Sequence, residues 1–180
     1  ILAESETSIL PGYKRMGPVR IGNQAHEHHQ HHVYGQIVLS TAQAFYDSRL
    51  FRPAGLEDFH ALETVGERAF DAYSKPDAGL WEFRTRAAVH TYSAMMCWAA
   101  CDRLANVAVK LELQDRASFW RQRADAMRAA IEAQAWNSDL GRFAATFGGN
   151  EMDASLLQML DTRFLSPDDP RFRATLAAVE

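Results

Sequence analysis

Long helical segments constrain this chain's fold more than any other feature of its sequence. Apolar residues recur every three to four positions, as they do on the buried face of an α-helix. The segments with this period are about 26–48, 56–73, 91–113 and 116–134. A shorter helix is predicted over 153–160, and a last helix beginning near Arg171. No segment alternates convincingly as a strand does, so the pattern predicts an all-α domain.

The remaining segments separate these helices. Residues 136–143 read as a turn followed by a short extended stretch that ends at Gly148-Gly149. A solenoid of helical repeats is an alternative. The helices are irregularly spaced, however, and the loops at 75–90 and 136–152 differ in length and composition. These differences disfavour a solenoid.

Length and charge exclude several classes of protein. A chain of 180 residues is long enough for one core and short for two. Its net charge of −4 gives no electrostatic case for a nucleic-acid or anionic-membrane partner.

No apolar run approaches the ~20 residues that cross a bilayer. The first residues, Ile1 to Glu4, do not resemble a signal peptide. The chain opens without methionine and stops at Glu180 in a helical pattern, so we expect a piece of a longer chain.

The two cysteines give an indication of the cellular compartment in which the protein works. Cys97 and Cys101 lie one helical turn apart. Buried free thiols are favoured over a disulfide, and they favour a cytoplasmic protein.

One carboxylate stands out as a candidate for chemistry. Glu82 lies between Trp81 and Phe83 in a loop that follows Pro76-Asp77-Ala78-Gly79. A group that protonates a leaving oxygen near neutral pH must hold its own proton, and apolar, partly desolvated surroundings favour that form. The alternative is an ordinary solvated loop glutamate beside a buried tryptophan.

Two other clusters are weaker candidates. The run His26 to His32 lacks the histidine spacing of zinc proteases, because Gln30 occupies the second position. His28 and His32 could bind a metal with a third ligand, but a partly buried polar face at a helix start is the preferred interpretation. Arg20 and Asn23 suit hydroxyl-rich ligands, but helix-start bonding and a surface ion pair are the preferred interpretation of these residues taken alone.

Several segments together, in this order, carry a resemblance. They are Gly12-Tyr13 with Pro18 to Asn23, Val33-Tyr34-Gly35, Pro76 to Arg84, Thr91-Tyr92-Ser93 with Met96 to Trp98, Asp153 to Leu157, and Phe164 to Arg171. Across about residues 11–180 the chain resembles glycoside hydrolase family 15. That glucoamylase-like family includes bacterial glucoamylases, glucodextranases and some trehalases.

The resemblance implies a fold and a reaction. The fold would be an (α/α)6 toroid, with residues 1–180 as a single partial catalytic domain, incomplete at both ends. The reaction would be exo-acting hydrolysis of α-linked glucose with inversion, in which Glu82 is the general acid. Trp81 would form a pocket wall. By the same resemblance, Arg20, Asn23 and Arg84 would be candidates for binding glucosyl hydroxyls or steadying the acid, with Tyr13 and Tyr92 as further candidates. The chemistry needs no metal or cofactor.

Departures from the family pattern limit what the resemblance implies. His32 and Gln36 flank Val33-Tyr34-Gly35 where relatives often have acidic residues, and Phe83 stands where fungal glucoamylases carry a second carboxylate. The resemblance places the general base beyond Glu180 and an arginine–aspartate pair of the substrate subsite before Ile1.

Three functions stay open at this point. The first is an inverting glucoamylase-type hydrolase of an oligosaccharide or disaccharide with α-linked glucose. The second is a trehalase on the same scaffold. The third is a catalytically inactive helical binding or scaffold module. We expect the isolated chain to hydrolyse little and to self-associate through helix faces that are normally covered.

Overall fold

The computed structural model describes residues 3–83 and 86–180. Five α-helices carry this part of the chain: α1 His32–Ala42, α2 Leu56–Ala72, α3 Thr91–Lys110, α4 Gln114–Ala135 and α5 Pro170–Val179. The predicted all-α class is confirmed. Helices α2, α3 and α4 begin and end within a few residues of their predicted bounds, and α5 begins one residue before the predicted start near Arg171.

Short 3-10 helices and strands fill the connections. The 3-10 helices are Tyr13–Arg15, Gln24–Glu27, Gln43–Phe45 and Ala154–Met159. Strands β1 (Ser5–Thr7) and β2 (Val19–Ile21) pair antiparallel, as do β3 (Trp136–Asn137) and β4 (Arg142–Phe143). The sequence anticipated the extended stretch near residue 143 but not the first pair, because three-residue strands are too short to show alternation.

Helix α3 lies at the centre of the core. Every residue from Ala94 to Cys101 is buried, so this helix is covered on all sides by its neighbours α1, α2 and α4. Gly35 lets α1 approach closely, since a Cβ there would lie 2.2 Å from the Met96 carbonyl oxygen. The start of α3 is thereby held beside the start of α1.

A buried carboxylate ties α2 to α4. Glu63 Oε1 accepts hydrogen bonds from Arg116 Nε at 2.6 Å and Trp120 Nε1 at 2.7 Å, and His60 Nδ1 lies 2.9 Å from Oε2. Burial raises the pKa of Glu63, but these three partners outweigh burial and leave that pKa lowered. The charged form is therefore the one that the fold stabilises.

Both cysteines are free and buried, as predicted. Burial raises the pKa of the Cys101 thiol to about 12, so it is an unreactive core group. Within residues 3–83 and 86–180, no helix is long and apolar enough to cross a membrane.

Candidate active site

Asp77 organises the loop that carries the candidate acid. Its side chain is buried, at 2% exposure. Its Oδ2 accepts hydrogen bonds from the His31 backbone N–H and the Ser93 hydroxyl, both at 2.8 Å, and its Oδ1 accepts from the Gly79 N–H at 3.2 Å. One carboxylate therefore joins the loop to the starts of α1 and α3.

Backbone hydrogen bonds hold the same loop from both sides. Asp77 and Ala88 exchange hydrogen bonds of 2.9 and 3.2 Å, and the Ala78 N–H donates to the His29 carbonyl at 2.9 Å. The Phe83 N–H then turns back to the Ala78 carbonyl at 2.9 Å. Residues 77–83 form a closed turn whose ends are fixed.

Glu82 lies at the tip of this turn in an unusual backbone conformation. Its φ of 53° is in the left-handed region, which costs an L-residue about 1–2 kcal/mol. Such strain persists only where neighbouring contacts impose it, and it is concentrated at functional sites. Lys14, Arg15, Glu112 and Arg163 share the positive φ, so the conformation alone does not assign a function to Glu82.

Trp81 is anchored at one edge and open on its face. Its side chain is 58% exposed, while its Nε1 donates a 2.7 Å hydrogen bond to Asp153 Oδ2. The other oxygen of Asp153 accepts from the Ser155 N–H at 2.8 Å and caps the 3-10 helix that follows. A fixed, solvent-facing indole is a surface on which a sugar ring can stack.

Phe83 and Arg86 connect the loop to His90 and Glu151. The Phe83 ring stacks on His90 with a centroid separation of 5.8 Å and an interplanar angle of 18°. The Arg86 guanidinium lies 5.6 Å from the Phe83 centroid and forms an ion pair with Glu151. A cavity of about 330 Å³ opens beside this face, lined in part by His28, Phe83 and Arg86.

The histidine run packs beneath the loop. His32 is 5% exposed and its ring lies 5.5 Å from that of Tyr92. Burial lowers the pKa of His31 and His32, so both are neutral near pH 7. Among the residues that the structure describes, no three His, Cys, Asp or Glu side chains are placed to hold a metal ion. The preferred interpretation of a partly buried polar face is right for His31, whereas His32 is fully inside.

The other predicted binding residues have local partners. Arg20 pairs with Glu4 at 3.0 Å and with Glu6 at 3.5 Å. Asn23 accepts from the Ala25 N–H at 2.8 Å and caps a 3-10 helix. These are the ion pair and helix-start bond that the sequence offered as the alternative to sugar binding.

The three remaining candidates differ in their surroundings. Tyr13 is 76% exposed. Tyr92 is buried, and burial raises the pKa of its phenol. Arg84 lies outside the described residues.

The expected apolar slot around Glu82 is not formed by this chain alone, which corrects the sequence interpretation. Glu82, Trp81 and Phe83 are all exposed, and Glu82 does not line the cavity beside the loop. The physical reason is that the described residues cover only the inner side of the turn. The exposed parts of Trp81 and Glu82 are not covered by residues 3–83 and 86–180.

Two residues of this site had no role assigned from sequence. Asp77 belongs to a Pro-Asp-x-Gly turn, in which an aspartate characteristically bonds to its own backbone two residues on, and that was the available signal. Asp153 gave no signal for its bond to Trp81, because 72 residues separate the two.

Known proteins with similar sequences place this geometry in a wider context. The model of the family described as glycosyl hydrolases family 15 matches residues 3–180. A trehalase of Mycobacterium tuberculosis is 39% identical over 181 residues, which cover 99% of this chain and 26% of that protein. A trehalase of Mycolicibacterium smegmatis is 37% identical over 181 residues, with the same shares.

A third relative has a lower identity to this chain. A trehalase of Thermoplasma volcanium is 30% identical over 174 residues, which cover 94% of this chain and 27% of that protein. The chain thus spans about a quarter of the length of these curated relatives. No solved structure matches it.

Proposed function

We propose a function from one premise, that this chain belongs to glycosyl hydrolases family 15. The protein that contains it is a glycoside hydrolase acting on α-linked glucose, and Glu82 is its general acid. The observation that carries this proposal is the Glu82 turn, which is strained, anchored by Asp77 to two helix starts, and flanked by a fixed indole face.

Trehalose is the substrate we propose. The three relatives reported above are named trehalases, which favours the second function from the sequence over the glucoamylase type expected first. Both reactions cleave a glycosidic bond next to an α-linked glucose. They differ in what the site accepts on the leaving-group side of that bond.

The mechanism assigns Glu82 to the leaving group. Its protonated carboxyl group gives a proton to the glycosidic oxygen as the bond to the anomeric carbon breaks. A second carboxylate, outside the described residues, removes a proton from the water that attacks the opposite face, which inverts the configuration. Trp81 stacks on the glucose ring and limits the access of water to the Glu82 side of the bond.

The exposure of Glu82 and Trp81 agrees with a site completed by the rest of a longer protein. The relatives extend well beyond the matched region, and a partner surface over the outer side of the turn would desolvate the carboxyl group. Desolvation disfavours the charged carboxylate and so favours a proton donor. The toroid that the family resemblance implies supplies such a surface.

The test is a glutamine substitution in the full-length protein. Glu82→Gln keeps the size of the side chain but removes the proton donor, so kcat on trehalose falls about 10²- to 10⁴-fold. Glu112→Gln is the matched control. Glu112 is also exposed with a positive φ of 60°, but lies in the turn between α3 and α4. Unchanged turnover in Glu82→Gln would reject Glu82 as the acid.

Hydrolysis assays of the unsubstituted full-length protein distinguish between the candidate substrates. Hydrolysis of trehalose with little release of glucose from maltooligosaccharides supports the trehalase proposal, and the reverse pattern restores the glucoamylase type. Hydrolysis of neither, together with sugar binding, identifies an inactive binding module.

Two further predictions from the sequence belong to this proposal. The free, buried cysteines agree with a cytoplasmic setting. Exposed Ile9 (86%) and Phe51 (108%) support self-association of the isolated chain, which we expect to be inactive without the second carboxylate.

A further inference from the structure

We propose that Asp153 is a positioning residue of the sugar site, which fixes the plane of the Trp81 indole. This inference rests on the proposed function, since it assigns the indole face to a sugar. Asp153 acts through Trp81, because both of its carboxylate oxygens already accept hydrogen bonds from the protein.

The two oxygens of Asp153 have different partners. Oδ1 accepts the Ser155 N–H at 2.8 Å, which fixes the rotation of the carboxylate at the start of the 3-10 helix Ala154–Met159. Oδ2 is then held in one direction and accepts the indole Nε1–H of Trp81 at 2.7 Å. The first bond orients the carboxylate, and the second uses that orientation to hold a residue 72 positions away.

The segment that carries Asp153 is held in place by its own contacts. Ser155, Leu156 and Met159 are buried in the helix that Asp153 caps. The preceding segment is tied to the core by the hydrogen bond from the Ala145 N–H to the Glu151 carbonyl at 2.8 Å. The ion pair between Arg86 and Glu151 adds a second link between the two loops.

An exposed indole needs such a hold to bind a sugar well. Trp81 is 58% exposed, so few packing contacts limit its two side-chain torsions. An indole that is already oriented loses less conformational entropy when a ring stacks on it. Without the bond to Asp153, the sugar must order the indole when it binds, and that entropy cost weakens binding about twofold to tenfold. The effect should appear in KM, while Glu82 continues to set kcat.

The test is a double-mutant cycle in the full-length protein on trehalose. Asp153→Ala raises KM about twofold to tenfold and changes kcat less than KM. Trp81→Phe keeps a stacking ring but removes the N–H donor. In that background Asp153→Ala has no further effect on KM. Equal effects of Asp153→Ala in both backgrounds, or an unchanged KM in the first, would overturn the proposal.

Asp169→Ala is the matched control. Asp169 also caps a helix, accepting the Arg171 N–H at 2.8 Å, but it has no contact with Trp81 among those described. The loss of this cap therefore leaves KM unchanged. A rise in KM equal to that of Asp153→Ala would show that any lost cap perturbs the site, and would contradict the specific link.

A second measurement is independent of activity. In protein labelled with 5-fluorotryptophan, the fluorine resonance of Trp81 is the one missing from Trp81→Phe. Asp153→Ala shifts or broadens this resonance and Asp169→Ala does not. A Trp81 resonance that is unchanged in Asp153→Ala overturns the positioning role. Absence of hydrolysis by the unsubstituted protein would instead overturn the proposed function, since the fluorine signal tests the Asp153–Trp81 link by itself.

Discussion

Gly79 and Glu82, three positions apart in the acid-bearing turn, both have positive φ, at 69° and 53°. For Gly79 the conformation is without steric cost, and the missing side chain also makes room: a Cβ there would lie 2.8 Å from His90 Nε2. For Glu82 the same region is strained. Glu82 therefore occupies the costly position, and a glycine two residues after Asp77 makes the turn that holds it.

Comparing Gly79→Ala with a control separates the two roles of this glycine, which are to adopt a positive φ and to leave space beside His90. The left-handed backbone costs alanine about 1 kcal/mol, and the contact with the buried His90 ring adds to that loss. Gly141→Ala is the matched control, since Gly141 has a φ of 62° but no atom within 4 Å of the added Cβ. We expect a larger drop in the urea unfolding free energy for Gly79→Ala, together with lower kcat on trehalose. Equal losses of stability and unchanged kcat would show that the turn tolerates the contact.

The helices illustrate what local sequence could and could not predict. Periodicity located α2 at 56–73, against the observed Leu56–Ala72, because most of its contacts follow from its own apolar face. The first helix was predicted from residue 26 but α1 begins at His32. The His29 carbonyl and the His31 N–H bond instead to Ala78 and Asp77. Those partners lie more than 40 residues away, so no local pattern could reveal them.

The starts of α1 and α3 also place titratable groups in the interior. His32 lies close to Tyr92, and its charge is influenced by Asp77, His31, Glu82 and His90. Burial is the largest effect on the pKa of His31 and of His32, and it lowers both below 6.5. The fold therefore favours the neutral imidazoles.

This preference predicts how stability depends on pH. Between the folded and the unfolded pKa the unfolded chain binds more protons. The free energy of unfolding is thus highest above about pH 6.5, and it falls as pH drops through that value towards the folded pKa. His32→Phe, which keeps a ring beside Tyr92, should flatten the decline between pH 7.5 and 5.5. His26→Phe, at an exposed histidine, should not.

Urea unfolding at the two pH values measures this directly. A free energy of unfolding that is constant or rises as pH falls from 7.5 to 5.5 would contradict the account of His32. A second decline below about pH 4.5 has a different origin. Glu63 and Asp169 have lowered pKa values in the fold, so protonation removes the negative charge with which these carboxylates bind their partners, and stability falls.

For the molecule as a whole, the placement of Trp81 and Glu82 on one loop was predictable from the sequence, but the enclosure of that loop was not. Trp81 and Glu82 lie together on one anchored turn, and the helical scaffold holds that turn in place. This chain alone does not form the desolvated slot, because Trp81 and Glu82 are exposed. The curated relatives are about four times as long as this chain. Arg20 and Asn23 were predicted from residue type, which cannot distinguish a sugar contact from the local bonds they form.

Glu82's role as proton donor is tested most directly by changing the leaving group. Fluoride departs from α-D-glucosyl fluoride without needing a proton, whereas the glucose that leaves trehalose must be protonated. In full-length Glu82→Gln, we expect kcat/KM to fall about 10²- to 10⁴-fold on trehalose and far less on the fluoride. Equal losses on both substrates would contradict the assignment of Glu82 as the general acid.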